Sequence, residues 1–229
     1  MREIVLDTET TGLDPADGHR IIEIGCVELM DHLPTGKSFQ AYLNPERLIP
    51  AEAQRVHGIT DEFLAGKPLF AAIADELMEF LGDAPLVIHN AGFDLKFLNS
   101  EFARIMRAPI PYARAIDTIE IAKAKIPGAR YSLDELCKRF NIDLSARAKH
   151  GALLDAELTA RVYLELVGGR QTRLKLAPLD GEAETALAEA RPSRLRVAPL
   201  APRLSEAERE AHAAFVANEL GNDPLWNRR

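Results

Sequence analysis

The sequence has few cysteines and no long apolar run, and each of these absences excludes a class of protein. Its two cysteines, Cys26 and Cys137, each lie in an apolar segment. They are expected to be reduced core residues, not a disulfide framework or a zinc site. No stretch approaches the length of a membrane span, and the residues from Met1 to Ile4 do not resemble an export signal. The sequence therefore predicts a cytoplasmic protein.

Positive charge is scarce as well. The 229 residues carry a formal net charge of −7, which argues against a protein that holds nucleic acid on a broad basic surface. A small site in which metal ions supply the positive charge is compatible with this balance. Residues 118–149 have a local excess of lysine and arginine, and this excess is interpreted as the solvated face of two helices.

Hydrophobic residues make up 47% of the chain, enough for a full core, and their periodicity changes along the sequence. Residues 3–7, 20–30 and about 38–43 have the pattern of three β-strands in an antiparallel meander. Short apolar strands at 86–89 and 114–117 then alternate with helical patterns. Helices are expected at residues 68–82, 91–106, 132–140 and 151–169. This order predicts an α/β protein with one mixed sheet, partly parallel, flanked by helices.

The composition changes towards the C-terminus. Four prolines and little periodicity in residues 170–204 indicate a flexible linker. Ser205 and Glu208 then form a capping-box pattern, which predicts a final helix and a short tail. The expected organisation is a folded domain over residues 1–169, the linker, and the helix with its tail over residues 205–229. A lone helix on a tether has little core of its own, so a partner protein is expected to cover its apolar face. The alternative is that the helix folds back on the domain.

Two acids directly follow the first apolar run. In "IVLDTETTG", Asp7 and Glu9 are two positions apart, so on a strand their side chains would point the same way. Two carboxylates that close repel each other unless a cation lies between them. The stretch predicts either a metal site or a strand end that frays into solvent.

Two further acids follow at the starts of predicted helices. Asp94 lies in the first turn after a strand, and Asp155 lies inside an otherwise apolar run. Carboxylate oxygens favour Mg²⁺ or Mn²⁺ over zinc, and two such ions can clamp the attacking and leaving oxygens of a phosphoryl displacement. His150, expected on the loop before the helix of Asp155, is a candidate general base that takes a proton from water.

The motifs "DTETTG", "HNAGFD" and "HGALLDA", in this order and spacing, resemble those of the DEDDh family of 3′–5′ exonucleases. "QRVHGITDEFL", "YSLDELCKRF" and the long tail are similar to family members that proofread for a bacterial replicative DNA polymerase. The resemblance implies a ribonuclease H-like fold, removal of nucleotides from DNA 3′ ends, and two Mg²⁺ or Mn²⁺ ions. It makes Asp7, Glu9, Asp94 and Asp155 the metal ligands and His150 the base.

The resemblance also implies contacts with substrate and partners. The residues expected at the terminal nucleotide are Thr10, Val56, His57 and Phe93. The sliding clamp is expected to bind the segment "QTRLKL" through Gln171, Leu174 and Leu176. The large polymerase subunit is expected to bind the final helix and tail through Phe215, Val216, Leu220 and Trp226. A small accessory subunit is a further candidate partner. Supporting, non-catalytic roles are expected for His89, Asn90 and Asp117.

Two alternative functions stay open at this point. An RNA-trimming exoribonuclease of the same superfamily would use the same acids and metals, because the contacts that read the 2′-hydroxyl lie elsewhere. A non-catalytic subunit that bridges clamp and polymerase would need no metal. The four acids argue against this second alternative, since their convergence without a cation would destabilise the fold.

Overall fold

The computed structural model describes residues 1–145, 147, 149–168 and 205–219. These residues fall into two units, one within Met1–Arg173 and the other within Leu174–Arg229, and each is described by itself. The predicted linker, the segment predicted to bind the sliding clamp, and Leu220 and Trp226 lie outside the described residues. Within the described part of the chain, no helix combines the length and the apolar character needed to cross a membrane.

One five-stranded mixed sheet organises the first unit. Its strands are β1 (Arg2–Thr10), β2 (Ile21–Met30), β3 (Leu33–Tyr42), β4 (Leu86–Ile88) and β5 (Ala115–Asp117), and their spatial order is β3-β2-β1-β4-β5. β1 pairs with β2, and β2 with β3, in antiparallel fashion. β4 runs parallel to both β1 and β5. The predicted α/β architecture, a meander joined by parallel strands, is confirmed.

Eight α-helices are described. They are α1 (Ala51–His57), α2 (Asp61–Leu64), α3 (Phe70–Leu81), α4 (Ala91–Arg104), α5 (Thr118–Lys125), α6 (Leu133–Arg139), α7 (Ala152–Val167) and α8 (Glu206–Glu219). The Ser132 side chain caps α6 by accepting from the Glu135 N–H at 3.4 Å. The Ser205–Glu208 capping box is formed in both directions, at 2.8 and 3.3 Å. These caps explain why the sequence located the starts of α6 and α8 well.

The predicted start of the third strand was wrong by five residues, because β3 begins at Leu33 and not near Ser38. Asp31 and His32 take left-handed φ angles of 51° and 69°, so they close a tight hairpin between β2 and β3 without glycine. Pro34 lies in the strand at little cost, because β3 is at the edge of the sheet. β1 is also longer than predicted and continues through Thr10.

Helices cover both faces of the sheet. Ile4 and Leu6 of β1 pack in a cluster with residues of α3 and α4, whereas Val5 packs with Ala156 of α7. α7 lies so close to the sheet that a Cβ at Gly25 would come within 2.2 Å of the Leu153 nitrogen. Even-numbered residues of β1 therefore face α3 and α4, and odd-numbered residues face α7.

Candidate active site

The alternation along β1 decides where its two acids point. Asp7 and Glu9 continue the odd-numbered face of Val5, which α7 covers. Asp155 lies in the first turn of α7 and is only 3% exposed. Glu9 is buried and Asp7 is half-buried. The structure thus brings these three acids to one place, at the carboxyl end of β1.

Asp94 reaches the same place from the other face of the sheet. β4 runs parallel to β1 and ends at Ile88, beside Leu6, so α4 begins next to the end of β1. Thr8, on the even-numbered face, donates a hydrogen bond to Asp94 Oδ1 at 2.7 Å. This role of Thr8 was not predicted from the sequence, although the position of Thr8 between Asp7 and Glu9 is a signal for it.

Burial and mutual repulsion dominate the electrostatics of the cluster. Burial raises the pKa of Asp7 well above its ordinary value, and the charges of Asp94, Asp155 and Glu9 raise it further. The pKa of Glu9 rises to about 8, first through burial and then through the charge of Asp155. Burial also raises the pKa of Asp94 to about 7, against the hydrogen bond from Thr8. A cation bound among these carboxylates would relieve the repulsion.

Asp155 differs from the other three acids because it has a cationic partner. Arg147 donates from Nε to Oδ1 and from Nη2 to Oδ2, both at 2.6 Å, and it also pairs with Asp134. Although burial opposes ionisation of Asp155, hydrogen bonds from His150 and Arg147 hold its pKa below the ordinary value. Arg147 is only 7% exposed. Its assignment to a solvated helix face was therefore wrong.

His150 lies on the loop before α7, as the sequence predicted. Its Nδ1 is 2.9 Å from Arg147 Nη2 and 3.3 Å from Asp155 Oδ2. Its backbone N–H donates to the Val56 carbonyl at 3.3 Å, which joins the loop to α1. The hydrogen bond to Asp155 raises the pKa of His150. Single ligand atoms of Glu9, His150 and Asp155 lie within 4.8 Å of one another.

A cavity of about 550 Å³ opens beside the acids, and the residues expected at the terminal nucleotide line it. They are Thr10, Val56, His57 and Phe93. The Ile59 N–H donates to His57 Nδ1 at 3.0 Å, so the neutral ring carries its proton on Nε2. That Nε2 is buried and has no hydrogen-bond partner among the described residues. A buried donor without a partner therefore lies beside the cavity.

The residues expected to play supporting roles hold elements in place. Asp117 accepts from the Ala91 N–H at 3.0 Å and from the Ile119 N–H at 2.8 Å, so one carboxylate caps the starts of α4 and α5. His89 Nδ1 is 2.8 Å from Thr118 Oγ1. Asn90 has a left-handed φ of 68° immediately before α4. These contacts orient α4, and with it Asp94.

The chain is similar to known proteins over almost its whole length. A family model described as exonuclease matches residues 4–163. The DNA polymerase III subunit epsilon of Rickettsia felis is 47% identical over 223 residues, which cover 96% of this chain and 97% of that protein. The Escherichia coli K12 protein of the same name is 48% identical over 197 residues, or 82% and 80% of the two chains.

Solved structures share the fold. Exonuclease X in complex with 5′ overhanging duplex DNA is 28% identical, with a TM-score of 0.57, and the match covers 72% of this chain and 90% of that one. The nuclease domain of 3′hExo, a DEDDh family member bound to rAMP, has a TM-score of 0.64 at 23% identity, with 72% and 91% covered.

The chain therefore belongs to the exonuclease family, in the group of the DNA polymerase III epsilon subunits. Its activity is that of a 3′–5′ exonuclease of the proofreading type, in a family that depends on divalent metal ions. The function predicted from the three motifs is confirmed.

Proposed function

We propose that this chain removes mispaired 3′-terminal nucleotides from DNA as the proofreading subunit of DNA polymerase III. The observation that carries the proposal is the convergence of four buried or half-buried acids from β1, α4 and α7, with His150 beside them. The names of relatives that match almost the whole chain support the polymerase assignment. A protein that acts together with a replicative polymerase would be located in the bacterial cytoplasm.

The donor set fits Mg²⁺ or Mn²⁺. Asp7, Glu9, Asp94 and Asp155 offer only carboxylate oxygens, which hard divalent cations prefer. The raised pKa values of Asp7, Glu9 and Asp94 mark a site whose ionised form needs added positive charge. When bound, two such ions would supply the charge that stabilises the attacking and leaving oxygens of phosphoryl transfer.

His150 would take a proton from the attacking water. Its ring is partly exposed, with 46% of the side chain accessible, so water reaches it. The contact with Asp155 Oδ2 at 3.3 Å orients the ring towards the acids. In a neutral ring whose Nδ1–H donates to Asp155 Oδ2, Nε2 carries the lone pair that would accept the proton. A neutral imidazole at the reacting centre is the form that a general base requires.

The cavity beside Glu9 would hold the terminal nucleotide. Phe93 offers an aromatic face for stacking on a base, and Val56, which is 49% exposed, offers an apolar surface next to it. The Nε2–H of His57 would donate to an oxygen of the nucleotide, which would give this buried donor a partner. Thr10 Oγ1 donates to the Gly12 carbonyl at 2.6 Å, and both residues line the cavity.

Digestion of a 5′-labelled DNA primer with a mispaired 3′ end tests the proposal. With Mg²⁺, the full chain should shorten the primer from its 3′ end, and an Asp7→Ala variant should not. An RNA strand of the same sequence should be shortened more slowly. A folded protein that leaves DNA intact with Mg²⁺ and with Mn²⁺, or that prefers the RNA strand, would contradict the assignment.

The polymerase contact would be made by α8 and the tail after it. Phe215 is 56% exposed on this helix, and a large apolar side chain in that setting favours a protein partner. Val216, the other predicted contact within the described part, is half-buried. A chain that ends at residue 169 should keep its nuclease activity and no longer co-elute with the alpha subunit of the polymerase. Co-elution of the shortened chain would refute this role of the C-terminus.

The clamp and the accessory subunit complete the proposed set of partners. Substituting Gln171, Leu174 and Leu176 by alanine should abolish binding to the sliding clamp and leave alpha-subunit binding unchanged. Clamp binding that survives this triple substitution would remove the segment from the proposal. Size-exclusion chromatography of the chain with the sliding clamp, and of the chain with the alpha subunit, measures these two contacts.

A further inference from the structure

A second cavity, of about 520 Å³, lies next to the proposed catalytic residues. α1, α6 and the loop before α7 contribute its walls. It shares Val56 with the cavity proposed for the terminal nucleotide. It shares Arg147 and His150 with the space in front of Asp7 and Asp155. A ligand in this groove would therefore continue directly from both parts of the site.

The groove is basic in a protein whose formal net charge is −7. Four cationic side chains and one acid, Asp134, line it. The four are Arg55, Lys138, Arg147 and Lys149. Arg147 is already paired with Asp155 and Asp134, and Lys138 contacts Glu135 at 3.0 Å.

The other two cations are available to a ligand. Among the residues that the structure describes, neither Arg55 nor Lys149 takes part in an ion pair. Both are exposed. Two free cations that line one groove, beside the proposed phosphoryl-transfer site, match a chain of phosphates in charge.

The two walls are held together by contacts of the backbone and of Lys149. The N–H of His150 donates to the Val56 carbonyl at 3.3 Å and joins the loop before α7 to α1. The Lys149 side chain crosses Gly58, where a Cβ would come within 2.5 Å of the lysine Cδ. Gly58 has a φ of 76°, which favours glycine there. The position of the Lys149 ammonium group thus depends on a residue without a side chain.

We propose that this groove binds backbone phosphates of the DNA strand on the 5′ side of the nucleotide that is removed. The inference rests on the proposed function, because it needs the terminal nucleotide in the first cavity and the scissile phosphate at the acids. The strand that leaves those two places has the groove as its continuation. Arg55 and Lys149 would contact phosphate oxygens and not bases, so binding there would be independent of sequence.

Arg55→Gln and Lys149→Gln, in the full chain, test the groove. Two substrates are compared: a long single-stranded oligonucleotide and the 4-nitrophenyl ester of thymidine 5′-monophosphate, which is too short to enter the groove. Each variant should lower the ratio of kcat/KM for the oligonucleotide to that for the ester about two- to fivefold. The double variant should lower it roughly tenfold. Most of the change should appear in KM, because the contact is made before and during the chemical step alike.

Salt dependence adds a readout that a merely structural role would not change. For single strands, each phosphate contact that is lost should reduce the slope of log affinity against log salt concentration by about 0.7. Fluorescence anisotropy of the labelled oligonucleotide without metal measures this slope. Arg55→Lys, which keeps the charge, should retain most of the affinity.

Lys125→Gln is the matched control, because it removes one exposed positive charge on α5, away from the groove. An equal loss in this variant would show a general charge effect and overturn the proposal. An unchanged substrate ratio and salt slope in the double variant would do the same. Melting temperatures confirm that the variants are folded.

The anisotropy experiment separates the two proposals. If the wild type hydrolyses DNA but the groove variants bind the oligonucleotide as well as the wild type does, the proposed role of the groove is overturned and the proposed function stands. Groove-dependent binding in a wild type that hydrolyses neither substrate would overturn the proposed function and keep the groove as a DNA-binding surface.

Discussion

Two groups of buried acids in this molecule have opposite surroundings. Glu101 accepts from Arg20 at 2.7 and 2.8 Å, and Glu3 accepts from the Tyr163 hydroxyl at 2.7 Å. At the site, by contrast, Asp7 and Glu9 are surrounded mainly by further acids. Carboxylates are therefore buried both in the structural core and at the proposed active site. The two groups differ in whether the fold itself provides a hydrogen-bond donor or a cation for the carboxylate.

The largest expected effect comes from removing one uncompensated acid. Asp7→Asn should lower the rate of primer digestion about 10⁴-fold or more, because a ligand to the charge-stabilising ions is lost. Its melting temperature in EDTA should be no lower than that of the wild type, since a buried like charge has gone. A near-wild-type rate, or a large loss of metal-free stability, would erase the distinction between the two groups.

Removing an acid that has a cationic partner should instead lower the stability of the fold. Glu101→Gln leaves Arg20, which is 15% exposed, with a buried and poorly paired charge, so the free energy of unfolding should fall by about 3–5 kcal/mol. Glu46, on the exposed side of the same arginine at 3.6 Å, provides the matched control. Glu46→Gln should cost less than about 1 kcal/mol. Urea denaturation measures both, and equal losses would contradict this interpretation.

The base should be sensitive to pH as well as to substitution. His150 must be neutral to accept a proton, so the rate should rise with pH through its pKa and then level off. Asp155 raises that pKa, whereas bound cations would lower it, and the position of the rise shows which influence is larger. His150→Gln should lower the rate about 10²-fold or more and remove this rise. A variant that keeps the profile would exclude His150 as the base.

A further effect concerns stability in the absence of metal. The folded pKa of Glu9 is about 8 and its ordinary value is 4.5, so between these values the folded state binds more protons than the unfolded state. Glu9 should therefore destabilise the protein progressively as pH rises from about 4.5 to about 8. Glu9→Gln in EDTA should flatten the fall in melting temperature over this window, and Mg²⁺ should flatten it in the wild type.

The pKa of Glu28 is shifted in the opposite direction from that of Glu9, so Glu28 serves as the control. The hydrogen bond from Arg2 lowers its pKa to about 2, so its contribution to stability is present above about 4.5 and is lost as pH falls towards 2. Glu28→Gln should therefore change the acid side of the stability curve and leave the window between 4.5 and 8 unaltered. A change in that window would show that the assignment to Glu9 is wrong.

Sequence patterns predicted the five strands and the helices α3, α4, α6, α7 and α8, because the apolar period of each element matches the face that it buries. The short helices α1, α2 and α5 were not predicted. The start of β3 was missed, since two non-glycine residues with positive φ close its hairpin. The acids were predicted from their spacing on a strand and in first helical turns. The burial of Arg147 was not predicted, because local charge does not reveal that a loop places an arginine in a buried ion pair. Nothing in the pattern identifies such a partner at a distance.

Gly25 has a consequence beyond packing. It pairs with Asp7 across the β1–β2 ladder and lies directly beneath the start of α7. A side chain at this position would push α7 outward and move Asp155 away from Asp7, while most of the core stayed intact. The chain could still be made and could still occupy its position in a replication complex. In a growing culture, such a substitution would then be seen in the spectrum of spontaneous mutations and not in the yield of cells.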